Sequence, residues 1–254
     1  YKKMQKWKKS QISPFIIIAV IIISIIISYF LFNSDISKRE VTGVNPEIQP
    51  VYNYVDNCLK EVGEEALYYI GGTGGYLEIP EISLENNIAY YLYDNKNYMP
   101  SKEKIEEQIS LYMESFLPFC INEFEELPDF KITEKPFKIK TIIEDEKIVF
   151  NVDYKLSIKK GENSFLIRDF RTEIPVRLGI IHKAISEFME EQMKKTDSIC
   201  VSCLYEITEK YQLHFHALDT NETYTLFFVV RDENSKILGE DYLFYFVNKL
   251  SKLG

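Results

Sequence analysis

The strongest hydrophobic pattern in the chain is an apolar stretch that runs from residue 14 to residue 32 without a charged side chain. A helix of this length would span roughly 28 Å, close to the ~30 Å hydrocarbon core of a bilayer. Ser13 is suited to cap this helix and Pro14 to be its first residue. We therefore predict a transmembrane helix over residues 14–32, with the lipid bilayer as one partner of the chain.

The charges on either side of this stretch predict its orientation. Residues 1–13 contain five lysines and no acidic residue, whereas residues 33–40 carry two basic and two acidic ones. Positive charge on the short side favours a cytoplasmic N-terminus. The stretch is longer than a secretory signal core and no small-residue cleavage site follows it, which favours a retained signal anchor. The chain is then a single-pass protein of the cell membrane, with a cytoplasmic basic tail (1–13), a stalk (33–47) and an extracytoplasmic domain (48–254).

The first half of this domain shows two helical patterns. Apolar residues recur at helical spacing over residues 48–70, and Gly71-Gly72 would end this helix in a left-handed conformation. Ser101 would cap a second helix, in which Pro118 would cause a kink. The buried stripe of the second helix is predicted to contain Ile105, Ile109, Tyr112, Met113, Phe116 and Cys120.

Between and after these helices, the pattern changes to the alternation typical of strands. Residues 76–80 and 88–93 are strand-like, and residues 137–176 predict three strands joined by turns, with a bulge near Asp169 where the period slips. Three more strands are predicted in the last part of the chain, over residues 213–217, 224–231 and 242–248.

Two further helices are predicted between these groups of strands. One begins at Leu178, and a shorter one would be capped by Asp197 or Ser198. Because helices and hairpins are segregated along the chain, we predict an α+β fold in which antiparallel β-meanders pack with amphipathic helices. A sub-boundary near residue 177 would separate the two halves.

Composition and charge restrict the classes of partner. The chain has 30 basic and 39 acidic residues, a net charge of −9, and it is 46% apolar and 14% aromatic. Without the five N-terminal lysines the balance becomes 25 to 39, a net charge of −14. A domain this acidic repels phosphate backbones, so nucleic acid is excluded as a partner. The apolar content excludes general disorder.

The cysteines predict disulfides. Cys58, Cys120, Cys200 and Cys203 all follow the transmembrane stretch. An even number of cysteines in an extracytoplasmic domain indicates two bridges, for which three connectivities are possible. Because Cys58 and Cys120 each fall on the apolar face of a predicted helix, we favour their pairing.

The pair Cys200 and Cys203 also suggests chemistry. Two cysteines at this spacing at the start of a helix favour a thiolate and are typical of thiol–disulfide exchange. His214 and His216 lie two apart on a predicted strand and face the same way, so together with the cysteines they would suit a tetrahedral zinc site. We interpret the cysteine pair as structural and keep these activities as alternatives. His182 is interpreted as a surface residue.

No other residues align a nucleophile with a base, so the sequence predicts no catalytic residue and no cofactor. Asn221-Glu222-Thr223 is a glycosylation sequon in a predicted turn, which makes Asn221 a candidate for glycosylation.

Two groups of motifs resemble known proteins. Residues 9–13, Lys-Ser-Gln-Ile-Ser, precede an isoleucine-rich segment and resemble the class III, pilin-type signal of archaeal surface proteins, in which a glutamate stands at the position of Phe15. Four segments of the domain resemble an uncharacterised group of archaeal single-pass membrane proteins. This resemblance implies membrane anchoring and no particular activity. The four segments are Gly74–Tyr76, Leu117–Cys120, Ile174–Gly179 and Ile199–Leu204.

These observations predict a membrane-anchored extracytoplasmic protein with a binding, adhesion or envelope-structural role and without catalytic activity. Its second partner would be a protein or another envelope component. The alternatives are a pilin-like subunit of a surface filament and a thiol-redox or zinc-dependent activity at Cys200 and Cys203.

Overall fold

The computed structural model describes residues 44–85, 88–220 and 222–251. Within these ranges the chain forms four α-helices, which are α1 (Gln49–Gly72), α2 (Lys102–Ile121), α3 (Leu178–Gln192) and α4 (Val201–Tyr211). It also forms ten strands, which are β1 (Ser83–Leu84), β2 (Ile88–Tyr93), β3 (Lys96–Asn97), β4 (Lys131–Glu134), β5 (Lys138–Ile143), β6 (Ile148–Lys160), β7 (Asn163–Ile174), β8 (His214–Asp219), β9 (Thr225–Ile237) and β10 (Glu240–Lys249). Two 3₁₀ turns, Pro46–Ile48 and Asn122–Phe124, complete the described elements.

The predicted tail, the predicted transmembrane helix and most of the predicted stalk fall in residues 1–43, outside the described residues. None of the helices in the described ranges has both the length and the apolar composition needed to cross a bilayer.

The strands form two sheets, and the α+β class with antiparallel meanders is confirmed. The antiparallel sheet has β6 at its centre, with β7 along one side and β5 and β4 along successive parts of the other. The register of β6 and β7 shifts between Asp153 and Leu156, opposite the predicted irregularity near Asp169. The mixed sheet has the order β1-β2-β10-β9-β8, with β3 also paired to β2. Its pairs are antiparallel except for β2 and β10, which run parallel.

Aromatic side chains form the core between the mixed sheet and α3. Phe228 and Phe246 of neighbouring strands stack with their ring centroids 4.8 Å apart, and Phe188 of α3 lies 5.2 Å from Phe228. The buried amide of Asn248 accepts a hydrogen bond of 3.1 Å from the Leu92 N–H, which supports the short parallel pair. This face of the mixed sheet is therefore closed by α3.

Helix α1 contacts both sheets. Near its start, Tyr52 stacks on Phe170 of the antiparallel sheet, with ring centroids 5.1 Å apart. Near its end, the Leu67 carbonyl accepts a hydrogen bond of 3.2 Å from the Tyr242 hydroxyl of the mixed sheet. Burial raises the pKa of Tyr242 well above its usual range. One amphipathic helix thus supports both sheets, which explains why its apolar pattern is so regular.

The end of α1 lies so close to β10 that one of its two adjacent glycines has no room for a side chain. We expect Gly71→Ala to lower the free energy of unfolding by about 1–3 kcal/mol. A Cβ at Gly71 would lie 2.6 Å from the Leu243 carbonyl oxygen and 2.9 Å from the Tyr242 hydroxyl. Gly72→Ala is the matched control, because no atom lies within 4 Å of its Cβ, and better helix propensity should raise stability by about 0.5–1 kcal/mol. Equal effects of the two changes in urea unfolding would contradict this account.

The predicted end of α1 needs correction. Gly71 and Gly72 lie inside the helix, and the left-handed residues are Gly74 (φ 76°) and Gly75 (φ 91°). Residues 76–80 are not a strand. The reason is that the buried Gln108 side chain of α2 accepts hydrogen bonds from the N–H groups of Leu77 and Glu78, at 2.9 and 3.1 Å, and takes the place of a neighbouring strand.

The predicted stripe of α2 is partly wrong. Ser101 caps the helix as predicted, accepting a hydrogen bond of 3.2 Å from the Lys104 N–H, and the helix continues through Pro118 for one more turn. Phe116 is 41% exposed rather than buried. The apolar side chains that do face the core are spaced four apart, namely Ile105, Ile109, Met113, Leu117 and Ile121.

Helix α4 starts at Val201, later than predicted, with Cys200 rather than Asp197 or Ser198 at its N-cap. The preceding turn is held by Gln192, whose amide group donates to the carbonyls of Lys195 and Ser198 at 2.8 and 2.9 Å. These hydrogen bonds keep residues 195–198 in a turn, so helix α4 begins only at Val201.

Residue 177 joins β7 to α3 and is tied to β9 by a buried ion pair. The Arg177 guanidinium donates to both carboxylate oxygens of Asp232, at 2.6 and 3.0 Å, and the Arg177 N–H donates to the Ser235 hydroxyl at 2.9 Å. The Asp232 side chain is fully buried and that of Arg177 is 12% exposed. The hydrogen bonds to Asp232 raise the pKa of Arg177. Residues from Asn45 onwards form one structural unit. The ion pair at residue 177 therefore joins two parts of the same unit.

Candidate binding surface

All four cysteines are in disulfides, as predicted. Cys58 and Cys120 join α1 to α2 with their Cα atoms 5.7 Å apart, and Cys58 is 3% exposed. Cys200 and Cys203 join the N-cap of α4 to its first turn, with their Cα atoms 5.3 Å apart. The first bridge therefore lies at a helix–helix contact and the second at the start of a single helix.

The structure does not bring the suggested zinc ligands together. His214 and His216 are both exposed on β8, whereas Cys200 and Cys203 are bonded to each other. The nearest carboxylate to His214 belongs to Glu233, 3.6 Å away. Within the described parts of the chain, no three histidine, cysteine, aspartate or glutamate side chains are placed to hold a metal ion together.

Two other residues singled out in the sequence are His182 and Asn221. His182 was predicted to lie on the surface, but it is half-buried and its Nε2 lies 3.1 Å from the Pro100 carbonyl oxygen. Burial lowers the pKa of His182. Asn221 lies outside the described residues, so its glycosylation stays a prediction.

A row of aromatic rings lies on the solvent side of α1 and α2. We call Tyr69, Tyr112, Phe116 and Phe119 the aromatic strip. Successive ring centroids along it are 5.6, 4.4 and 6.2 Å apart. Tyr69 and Phe116 are each 41% exposed and Phe119 is 77% exposed. The rings therefore contact one another while presenting apolar surface to solvent.

The spacing of residues in α2 produces this strip. Tyr112, Phe116 and Phe119 follow one another at intervals of four and three positions, so they share one helix face. That face differs from the buried one, which is already filled by aliphatic side chains. Soluble domains seldom expose contiguous aromatic side chains, and such patches typically mark interaction sites.

The strip continues into a groove between the end of α1 and the β9–β10 hairpin. The groove has a volume of about 630 Å³ and is lined by Tyr68, Tyr69, Leu238 and Tyr245, among other residues. Tyr68 is 67% exposed. The pKa of Tyr245 is raised by burial and by the proximity of Tyr68. The groove and the strip share Tyr69 and together form what we call the binding face.

The tip of the hairpin places an apolar side chain at an unfavourable backbone position. Leu238 has φ 52° and Gly239 has φ 86°, the left-handed values of a two-residue hairpin turn. Asparagine, aspartate or glycine is the usual first residue of such a turn, because other side chains are strained there. Leu238 is also 59% exposed and lines the groove. The fold therefore retains an exposed leucine where a polar residue would be more stable.

The hairpin wall of the groove is held by an ionic cluster. The Arg231 guanidinium donates to the Asp241 carboxylate at 2.6 Å, and Lys236 forms a second ion pair with the same carboxylate. Hydrogen bonds from Lys236 and Arg231 lower the pKa of Asp241. These ion pairs link β9 to β10 and support the hairpin wall of the groove.

Acidic side chains border the aromatic strip. Glu61 and Glu65 are exposed on α1, about two turns and one turn before Tyr69, respectively. The pKa of Tyr112 is raised by burial and, to a smaller extent, by the negative charge of Glu65. In the described part of the chain, no lysine or arginine forms an ion pair with Glu61 or Glu65. The strip therefore has a negatively charged border.

Comparisons with protein-family models, with curated proteins and with solved structures gave no match to this chain.

Sequence reasoning missed both parts of the binding face. Tyr112 and Phe116 were assigned to the buried stripe of α2, although that helix carries more apolar residues than one buried face accommodates. This excess was the available signal for the strip. The groove left no comparable signal, since its walls come from segments about 170 positions apart that only the fold brings together.

Proposed function

We propose that this chain is a membrane-anchored, extracytoplasmic binding protein, and that the binding face holds a protein partner without catalysing a reaction. The observation that carries the proposal is the row of exposed rings in mutual contact that leads into the groove. Tyrosine and phenylalanine are enriched at protein–protein interfaces and frequently dominate their binding energy. The predicted transmembrane helix over residues 14–32 supplies the anchor.

The chemistry of the partner follows from the strip and its border. Its contact region would be apolar at the centre, to cover Phe116 and Phe119, and basic at the edge, to face Glu61 and Glu65. Complementary charges of this kind favour encounter and exclude wrong partners. The same acidic border disfavours nucleic acid and anionic lipid as occupants of this face.

Contact at the strip can be tested by replacing Phe119 with the photo-crosslinking residue benzoyl-phenylalanine in the cells that naturally make the chain. We expect one discrete protein adduct after irradiation. Leu166 is the matched control position, because it is 70% exposed on β7 but lies outside the binding face. Adducts at Leu166 equal to those at Phe119, or no adduct at Phe119, would contradict the proposal.

A second variant tests the rings themselves. With the crosslinker kept at Phe119, we expect the combined change Tyr69→Ser and Phe116→Ser to reduce the adduct at least about tenfold, since central aromatic residues typically contribute about 2 kcal/mol or more each to binding. Urea unfolding of the same variant should change little, because both side chains are partly exposed. An unchanged adduct yield would show that the rings do not carry the contact.

A further inference from the structure

The two disulfides differ in what they contribute to the fold. Cys58–Cys120 closes a loop of about 60 residues and lies at the contact of two helices, whereas Cys200–Cys203 closes a loop of only four residues. In the chain-entropy account, stabilisation increases with loop length, so the second bridge restricts the unfolded chain less than the first. It also lies at the start of a helix, an environment that the first bridge lacks.

The position of Cys200 favours its thiolate. Cys200 is the N-cap residue of α4, and the first helical hydrogen bond runs from the Leu204 N–H to the Cys200 carbonyl at 3.1 Å. The N–H groups of Ser202 and Cys203 precede this bond, and in the described structure no side chain caps the helix. An N-cap side chain is the usual acceptor for such groups, and a cysteine thiolate at a helix start is stabilised by them. The first turn also contains no acidic residue that would oppose this charge.

An independent feature points to a polypeptide substrate. Val201 and Tyr205 lie one turn apart on α4, beside the bridge, and are 67% and 70% exposed. The helix buries only Ile207 among its described side chains, so these two apolar residues are not used for packing. A bridge flanked by exposed apolar residues is accessible to an unfolded chain that presents a cysteine next to its own apolar side chains.

We propose that Cys200–Cys203 is a redox-active disulfide that oxidises pairs of thiols in client polypeptides. The site is separate from the binding face and does not depend on it. An extracytoplasmic location would suit this activity, since disulfides form in oxidising compartments.

The reaction is two successive thiol–disulfide exchanges. A client thiolate attacks the Cys200 sulfur and forms a client–Cys200 disulfide; the Cys200–Cys203 bond breaks, and its electron pair leaves on Cys203, which takes up a proton. The second client thiolate then attacks the client sulfur of the mixed disulfide. Cys200 leaves as a thiolate that accepts hydrogen bonds from the N–H groups at the start of α4. The client loses two electrons and two protons, and a small-molecule disulfide such as oxidised glutathione restores the bridge by the reverse exchange.

The first test is a redox titration of the full chain in detergent micelles. The protein is equilibrated in buffers of reduced and oxidised glutathione, free thiols are alkylated, and each cysteine is read by peptide mass. We expect Cys200 and Cys203 to convert between bridge and dithiol within this range while Cys58–Cys120 stays bridged and the circular dichroism spectrum stays unchanged. If Cys200–Cys203 opens only under conditions that also open Cys58–Cys120 or unfold the chain, the bridge is structural and the proposal is wrong.

The second test uses a reduced peptide with two cysteines and apolar flanking residues as the client. In Cys203→Ser, the free Cys200 should form a mixed disulfide with the disulfide-linked dimer of a single-cysteine version of the peptide, and this adduct should accumulate because neither Cys203 nor a second thiol in the bound peptide is present to resolve it. In a chain that keeps both Cys200 and Cys203, the combined change Val201→Ser and Tyr205→Ser should slow oxidation of the peptide about tenfold. The rate of its reaction with dithiothreitol should stay unchanged. Equal slowing of both reactions, or no slowing of either, would overturn the role given to the apolar residues.

Discussion

Replacing both Cys58 and Cys120 with alanine is expected to lower the free energy of unfolding by about 4 kcal/mol. The bridge joins residues 62 positions apart, so its removal releases a long segment of the unfolded chain. In the native state it fixes the end of α2 against α1, where the Tyr54 hydroxyl also donates to the Cys120 carbonyl at 3.0 Å. Alanine is preferred to serine, because Cys58 is buried and a serine hydroxyl there would lack a partner.

The other bridge provides the matched control for this change. Cys200→Ala combined with Cys203→Ala opens a loop of four residues and is expected to cost about 2 kcal/mol or less. Both double variants can be unfolded with urea and followed by far-ultraviolet circular dichroism. The Cys58/Cys120 variant should also show a larger denaturant dependence, since its unfolded state exposes more surface. Equal losses for the two variants would show that loop length does not decide the contribution of these bridges.

The second large effect is expected at the buried ion pair between Arg177 and Asp232. Asp232→Ala should lower the free energy of unfolding by about 3–5 kcal/mol, because it leaves a mostly buried guanidinium without its carboxylate. The Ser235 hydroxyl loses its acceptor in the same variant. Asp145→Ala is the control, since Asp145 forms a direct ion pair with Lys183 but both side chains are more than half exposed. That change should cost less than about 1 kcal/mol.

A double-mutant cycle separates the interaction from the cost of an unpaired charge. Arg177→Met combined with Asp232→Leu removes both charges, and we expect it to be less destabilising than the sum of the single changes by about 2 kcal/mol or more. Additive effects would mean that the two side chains contribute independently and that the ion pair does not tie β9 to the start of α3.

The elements that the sequence predicted well are those with a regular period and a single buried face. Helix α1 buries the residues its pattern indicated except Tyr69, which is 41% exposed, and the alternation over residues 137–176 correctly predicted three strands and the register irregularity. In these elements the local pattern and the tertiary contacts agree. The Cys58–Cys120 pairing was also predicted correctly, although Cys120 is half-buried and does not lie on the buried stripe of α2 to which it was assigned.

The failures have identifiable physical causes. Helix α2 has two apolar faces, and periodicity alone does not reveal which one faces the core, so Phe116 was placed on the wrong side. The stretch after α1 looked like a strand, but a buried glutamine on another helix satisfies its N–H groups. The parallel pairing of β2 with β10 joins Leu92 to Asn248, and no local pattern signals a contact over such a distance. Charged partners such as Arg177 and Asp232 were also invisible, because each looks like an ordinary surface residue in sequence.

If the proposed anchor tethers the chain at its N-terminal side, the disulfide between α1 and α2 has a mechanical consequence. All four rings of the aromatic strip lie between Cys58 and Cys120, inside the covalently closed loop. A pull between the proposed anchor and a partner bound on the strip is therefore carried by α1 and α2, which the disulfide keeps from separating. The β5–β7 meander lies beyond residue 121, forms no part of the binding face and would not carry this force. The helices that carry most of the tension would then be the ones that are covalently joined, and the antiparallel sheet would not be stretched when the partner is pulled.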